Sequence, residues 1–269
     1  MDFSGVKLVV SDMDGTLLND QHEVSDLFFE QFEQLKFLGV RFVAASGRQY
    51  HSILGKLKSI EADLMIVAEN GAYVVENGKD VYVNAFSKLD VYELVKELNN
   101  IHQAQIVLAG KKQAYFLKTT QDLELLIAEY YCEYKVVSSF KELPKDEILK
   151  IAVYHPLGSE LHILPEVKHL KNKWQIKVSG ENWLDIALPN NHKGNAVATI
   201  QHQMGITPEQ TMAFGDYQND VEMLQKAHFS FAMENAHPDV KKIANFRTTT
   251  NQERGVENIL AQVLQCKGK

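Results

Sequence analysis

The stretch Val9-Val10-Ser11-Asp12-Met13-Asp14-Gly15-Thr16-Leu17 decides how this chain is read. Val6, Leu8, Val9 and Val10 form a short apolar run of the kind that makes a buried parallel strand. Two carboxylates one residue apart close that run, and Gly-Thr follows. On a continuing strand Asp12 and Asp14 would share a face, and Gly15 predicts that the strand stops there. Crowded carboxylates do not both ionise cheaply without a proton or a cation between them. A hard divalent ion such as Mg²⁺, held by carboxylate oxygens, a backbone carbonyl and water, meets that need and commonly sits beside a phosphate. A bare Asp-x-Asp is more often an Asx-turn capping a strand, so the reading rests on the neighbours.

Outward from this stretch, Ser25 is placed to cap a helix carrying Leu27, Phe28, Phe32, Leu35 and Leu38, with Gly39 as its stop. A second apolar run, 40–45, ends at Ser46-Gly47-Arg48. A weaker helix through Ile53 and Leu57 leads to a third run, 64–68, which closes at Glu69-Asn70-Gly71. Strand, helix, strand, helix, strand is the pattern of a parallel sheet with crossover helices, which binds ligands at the carboxyl ends of its strands. Asp12, Ser46 and Asn70 all fall at such ends. A hairpin across Asn77-Gly78 follows. Residues 86–187 then read as an α+β unit with its own hairpins, inserted between residues 1–85 and 188–269. The first pattern resumes with Asn191-His192-Lys193-Gly194 opening a helix that Gly205 ends. A strand at 211–214 runs into Gly215-Asp216-Tyr217-Gln218-Asn219-Asp220, and a final helix carries Val256, Ile259, Leu260, Val263 and Leu264 on one face.

Composition narrows the function classes. The chain has 269 residues, 45% hydrophobic and 23% charged, which suits an ordinary globular protein. A net charge of −7 lacks the basic footprint that nucleic acid or an anionic membrane requires. Cys132 and Cys266 lie in unrelated contexts and give neither a metal nor a disulfide framework. The amino terminus shows no apolar signal region and no run reaches membrane-spanning length, so cytoplasm is the default expectation.

Four segments thus meet at strand ends or helix starts: Asp12/Asp14/Thr16, Ser46/Gly47, Lys193, and Asp216/Asn219/Asp220. Carboxylates, a hydroxyl, an ammonium and an amide are together an inventory for a phosphate–metal pair. Each piece is weak alone, since Ser-Gly is usually a turn and a Lys at a helix start is usually solvated.

The motifs at 12–17, 46–48, 69–72, 193–194 and 215–220 resemble those of the haloacid dehalogenase superfamily, in its Cof-type branch of phosphatases with a large inserted cap. The likeness runs over essentially the full length and is nearest to bacterial sugar phosphatases of that branch. It implies an α/β fold: a Rossmann-like core with a parallel sheet and helices on both faces, plus an inserted α+β cap domain. By this resemblance Asp12 is the nucleophile that becomes an aspartyl-phosphate, and Asp14 is the general acid and then base. Mg²⁺ is implied on Asp12, the backbone carbonyl of Asp14 and Asp216, with Asp220 orienting. The N–H groups of Met13 and Gly47, the Ser46 hydroxyl, Lys193 and Asn219 are implied to hold the phosphoryl oxygens. Thr16, Arg48, Asn70 and Asp220 are supporting residues. Presence of Asp14 argues against dehalogenation, for which the superfamily does without this acid/base.

The expected reaction is Mg²⁺-dependent hydrolysis of a small phosphorylated metabolite, a sugar phosphate above others, with no nucleic-acid or membrane partner. A phosphomutase using the same nucleophile is the alternative within enzymes, and a non-catalytic binding module is the alternative outside them. Trp183 and Asp185 alternate with Leu184, Ile186 and Leu188, so they share the face opposite the apolar one. That face is either solvent or a view onto substrate. The ten histidines show no ligand spacing and read as structural or surface residues.

Overall fold

Apolar runs became strands and amphipathic stretches became helices largely where the periodicity put them. The computed structural model describes residues 1–141 and 145–268. In chain order the elements are β1 (Leu8–Asp12), α1 (Asp26–Phe37), β2 (Arg41–Ala45), α2 (Tyr50–Leu57), β3 (Met65–Ala68), β4 (Tyr73–Glu76) and β5 (Lys79–Val83). Next come α3 (Lys88–Leu98), β6 (Gln105–Gly110), β7 (Ala114–Leu117), α4 (Gln121–Tyr130), β8 (Tyr134–Val137) and β9 (Ile148–Tyr154). They continue with α5 (Ser159–His162), α6 (Leu164–Val167), β10 (Gln175–Val178), β11 (Trp183–Ala187) and α7 (Lys193–Met204). Last are β12 (Thr211–Gly215), α8 (Val221–Leu224), β13 (Phe229–Ala232), α9 (Pro238–Ile243), β14 (Phe246–Arg247) and α10 (Gly255–Lys267).

The chain divides into two units. The first holds Met1–Gly47, Ile53–Val81 and His192–Lys269; the second holds Arg48–Ser52 and Tyr82–Asn191. These bounds differ from the 86 and 187 expected from sequence, and Arg48–Ser52 lies in the second unit rather than the first. The segment belongs to the second because Gln49, which is buried, donates from Nε2 to the Glu133 carbonyl at 3.1 Å and accepts from the Glu133 N–H at 3.2 Å.

An eight-stranded sheet of order β14-β13-β12-β1-β2-β3-β4-β5 organises the first unit. It is parallel from β14 to β3 and turns antiparallel at β4. β1 is central, with Ser11 opposite Phe214 and Asp12 opposite Ala45, so the carboxyl ends of β1, β2 and β12 lie side by side. Helices pack on it in two groups, α1 with α10 and α7 with α8. The Ser25 side chain accepts from the Phe28 N–H at 3.1 Å and so caps α1. Strand β1 begins at Leu8 and not at Val6, whose N–H closes a turn onto the Phe3 carbonyl.

The second unit is built on a six-stranded sheet of order β10-β11-β9-β6-β7-β8, antiparallel except between β7 and β8. Alternation along its strands fills two cores. Ile106, Leu108, Ile151, Val153, Leu184 and Ile186 face α3 residues such as Leu94 and Leu98, whereas Val107, Phe116 and Ala152 face Ile127 and Tyr131 around α4. Strand β8 was not anticipated: Tyr134–Val137 is a sheet edge with half-exposed and exposed residues, so it lacks the alternation by which a strand is read. Among the described residues no helix is long and apolar enough to cross a membrane.

Candidate active site

Strand β1 ends on Asp12, which is 5% exposed. The backbone then enters a single wide turn, Met13–Leu17, closed by the Leu18 N–H donating to the Met13 carbonyl at 2.8 Å. Inside it Asp14 is extended (φ −74°, ψ 126°) and Gly15 is left-handed (φ 72°). Gly15 is required twice over, for that φ and because a Cβ there would lie 2.4 Å from Asp216 Oδ2. The turn separates the two carboxylates that strand geometry would have kept on one face. Asp14 turns outward, 41% exposed, with His22 Nδ1 3.6 Å from its Oδ1. The crowding inferred from Asp12-x-Asp14 is therefore real but misassigned. Asp12 is crowded by Asp216 and Asp220, brought in from about two hundred residues away, and not by Asp14.

Lys193 joins this cluster from the first position of α7, where the His192 side chain caps the helix by accepting from the Asn195 N–H at 3.1 Å. Its ammonium is wholly buried and donates to Asp12 Oδ1 at 2.5 Å and to Asp220 Oδ1 at 2.7 Å. The other oxygen of Asp220 accepts from the backbone N–H groups of Asp216 (2.9 Å) and Tyr217 (3.1 Å). Thr16 Oγ1 donates to Asp216 Oδ1 at 3.1 Å. From the end of β2, Ser46 is buried; its N–H donates to the Val67 carbonyl and its own carbonyl accepts from Asn70. Asn219 Nδ2 donates to Asn70 Oδ1 at 3.1 Å.

Charge balance follows from these contacts. Burial pushes Asp12 well above the ordinary carboxylate value, Asp220 adds to it, and Lys193 opposes both. Burial and then Asp220 push Asp216 up to about 7. For Lys193, burial alone would pull the ammonium down, but Asp12 and Asp220 overcome it and the net shift is upward. Lys193 thus bonds two of the three carboxylates, and both Asp12 and Asp216 are held above the ordinary carboxylate value. Carboxylate oxygens of Asp12, Asp216 and Asp220 lie within 4.8 Å of one another. Asp220 is committed to Lys193 and two N–H groups, while Asp12 and Asp216, whose carboxyls also contact each other, bring oxygens beyond those bonded to Lys193 and Thr16. An all-oxygen, undercompensated donor set of this kind fits a hard divalent cation such as Mg²⁺.

A model of the haloacid dehalogenase-like hydrolases matches residues 9–260 of this sequence. The chain belongs to that family. Within it, the chain is 37% identical over 267 residues to the Escherichia coli 5-amino-6-(5-phospho-D-ribitylamino)uracil phosphatase YbjI, covering 97% of both chains. It is 26% identical to YcsE of Bacillus subtilis, a phosphatase of the same description, over 93% of both. The solved structure of SMU.1108c from Streptococcus mutans superposes with a TM-score of 0.90 at 28% identity, covering 97% of this chain and 99% of that one. The chain is accordingly an enzyme, a phosphatase of the Cof-type branch of the haloacid dehalogenase family.

Of the remaining residues singled out by sequence, three belong to the second unit. Arg48 belongs to the second unit, where its guanidinium donates to the Glu129 carbonyl at 3.3 Å and lies 6.0 Å from the Tyr130 ring centroid. Within the second unit the Trp183/Asp185 face is not open solvent, because α4 packs on it. Trp183 stacks edge-on with Tyr130 (5.9 Å) and Tyr154 (5.2 Å), and Asp185, 7% exposed, pairs with buried Lys150 at 3.4 Å. Sequence reading also missed two residues that hold the wide turn. Asn235 Nδ2 donates to the Gly15 carbonyl at 2.7 Å and Asn251 Nδ2 to the Leu18 carbonyl at 2.8 Å. Asn235 carried a usable signal, since it follows β13 at another carboxyl strand end.

Proposed function

We propose that this phosphatase hydrolyses monoesters of small phosphorylated metabolites in the cytoplasm, with Asp12 as nucleophile, Mg²⁺ as cofactor and a sugar or sugar alcohol as leaving group. The observation that carries this reading is the buried Lys193 ammonium, bonded at once to Asp12 and Asp220 beside Asp216. An Asp12 oxygen attacks phosphorus as the P–O bond to the leaving alcohol breaks, and the phosphoryl group passes to the carboxylate. Asp14, outside the buried cluster and 41% exposed, gives its proton to the departing alcohol. It then takes a proton from the water that hydrolyses the aspartyl-phosphate and returns Asp12 to its starting state. Lys193 favours the ionised form of Asp12 and, with the N–H groups of Met13 and Gly47, the Ser46 hydroxyl and the Asn219 amide, holds the phosphoryl oxygens. In a loose phosphoryl transition state such electrostatic positioning supplies most of the rate. Asp12, the Asp14 carbonyl and Asp216 would hold Mg²⁺, which supplies charge neutralisation to phosphoryl oxygens when bound. Asp220, tied by two N–H groups and Lys193, keeps both partners oriented.

For substrate, the relatives YbjI and YcsE are named for an ester whose phosphate sits on a ribityl chain. Their names support a phosphorylated polyol or sugar as the class for this chain, with the inserted 86–187 segment as cap domain selecting the leaving group. The test is phosphate release with Mg²⁺ from a panel of that ester, sugar phosphates, nucleotides, flavin mononucleotide and pyridoxal phosphate. Release by the wild type, preference for the polyol and sugar esters, and loss to background in Asp12→Asn are expected. No release, or equal release by Asp12→Asn, removes the reading.

A further inference from the structure

The tip between β3 and β4 has backbone that its sequence does not favour. Glu69 (φ 48°) and Asn70 (φ 56°) are both left-handed, and among the described residues no other two consecutive non-glycine residues are. Asn tolerates that region fairly well, but Glu does not. Such backbone persists where the surroundings over-determine it, and it gathers at functional sites. Here it ties one residue to two other loops, the one after β2 and the one after β12. The Asn70 N–H donates to the Ser46 carbonyl at 3.0 Å. Its side-chain amide lies on the Cα of Gly47, where a Cβ would come 3.0 Å from Oδ1 and 3.2 Å from Nδ2. Its Oδ1 accepts from Asn219 Nδ2 at 3.1 Å.

The last contact has a chemical consequence. A side-chain amide rotates easily about its terminal bond, and its two ends differ as donor and acceptor. Here Asn70 presents its carbonyl oxygen, which can only accept, and Asn219 meets it with Nδ2. The second N–H of that same nitrogen is then fixed in direction. We propose that Asn70 is a positioning residue: it orients the Asn219 amide so that an N–H, not a carbonyl oxygen, meets the transferring phosphoryl group. This inference rests on Asn219 holding a phosphoryl oxygen, as given above. A carbonyl in that place would repel the anion, so the orientation decides whether Asn219 assists binding or opposes it.

A double-mutant cycle on the full chain tests it, using Asn70→Gly, Asn219→Ala and the double variant. Glycine keeps the left-handed backbone without steric cost, so the substitution removes the amide and little else. Three readouts are taken: kcat/KM on p-nitrophenyl phosphate with Mg²⁺, orthophosphate affinity by calorimetry, and Tm. Asn70→Gly is expected to lower kcat/KM roughly ten- to a hundredfold by misplacing a binding group and to weaken orthophosphate binding. Its Tm stays near the wild-type value. In the Asn219→Ala background the same substitution should change neither activity nor affinity by more than about twofold, because coupled residues are non-additive. Wild-type activity and affinity in Asn70→Gly, or an equal loss in both backgrounds, overturns the proposal. Should Asn70→Gly melt early, the same cycle is run at a temperature below the transition of every variant, so that folded protein alone is measured. If the wild type binds orthophosphate but hydrolyses nothing, the phosphatase mechanism fails while the cycle on orthophosphate affinity still decides the Asn70–Asn219 coupling. A wild type that binds no orthophosphate overturns both.

Discussion

Lys193 is an ammonium with no solvent exposure, and its two carboxylate partners are almost as deeply buried. Removing one member of such a set strands the others, which typically costs about 3–5 kcal/mol. Lys193→Met should therefore destabilise the metal-free protein by that order in urea titrations. It should also lower kcat at least about a hundredfold, because a donor aimed at developing charge is lost. Added Mg²⁺ should recover part of the stability and none of the rate. Asp216 gives a pH prediction. Its carboxyl is raised from an ordinary 3.8 to about 7 by burial and by Asp220, against Lys193, Thr16 and Asp12. A raised carboxyl favours the folded state while protonated, so that contribution is present below the ordinary value and is lost as pH rises through about 7. Mg²⁺ needs the ionised form and must displace that proton. The rise in Tm on adding Mg²⁺ should consequently be small near pH 5.5 and grow towards pH 7.5, with affinity changing by up to about tenfold per pH unit. An equal Mg²⁺ effect at both ends of that range would contradict the proposed role of Asp216 as a ligand.

Elements place these residues through their ends more than through their middles. Every cluster residue lies at a strand's carboxyl end, in the turn after one, or in the first turn of α7. Two glycines separate the cost of a bend from the cost of a collision. Gly205, just beyond α7, is left-handed (φ 64°) with nothing within 4 Å of a would-be Cβ. Gly205→Ala should cost about 1–2 kcal/mol in stability and leave activity intact. Gly15 has nearly the same φ (72°), but its Cβ would meet Asp216. Gly15→Ala should carry a similar conformational penalty and, in addition, lower kcat/KM about a hundredfold by displacing Asp216. Parallel denaturation and rate measurements on both variants check the contrast. Equal activities would mean that the close approach of Asp216 to the turn has no catalytic weight.

At the scale of the whole molecule, the two units use charge differently. In the second, Lys150 on β9 and Asp185 on β11 form an ion pair at 3.4 Å, diagonal neighbours across the antiparallel pair, since Lys150 sits opposite Ala187 and Asp185 opposite Ala152. The Lys150 ammonium also lies 5.7 Å from the Tyr131 ring centroid. Burial on this face makes the pair a determinant of the second unit's stability. Asp185→Leu leaves a buried ammonium without its carboxylate and should cost about 3–5 kcal/mol, whereas Lys150→Met with Asp185→Leu should recover most of it. Urea unfolding of the three variants checks this. A rise in KM with stability unchanged in Asp185→Leu would instead make Asp185 a substrate contact.

Read along the chain alone, the residues already specify the parallel strands, the capped helices and the clustering of chemistry-bearing residues at strand ends. These follow from local rules: apolar periodicity selects the element, and Ser25 or Gly205 ends it. The sequence also carried the family, because Asp12, Ser46, Lys193 and Asp216 stand in motifs of fixed spacing. Tertiary structure alone decided which carboxylates meet. Strand periodicity pairs Asp12 with Asp14, but the left-handed Gly15 breaks the period, and parallel pairing of β1 with β12 brings Asp216 and Asp220 instead. It likewise decided that the Asp185 face is covered, since alternation separates the two faces of a strand but cannot tell which helix lies on the second. Contacts such as Asn70 with Asn219 join residues about 150 apart in sequence, and they exist only once the sheet has brought its strand ends together.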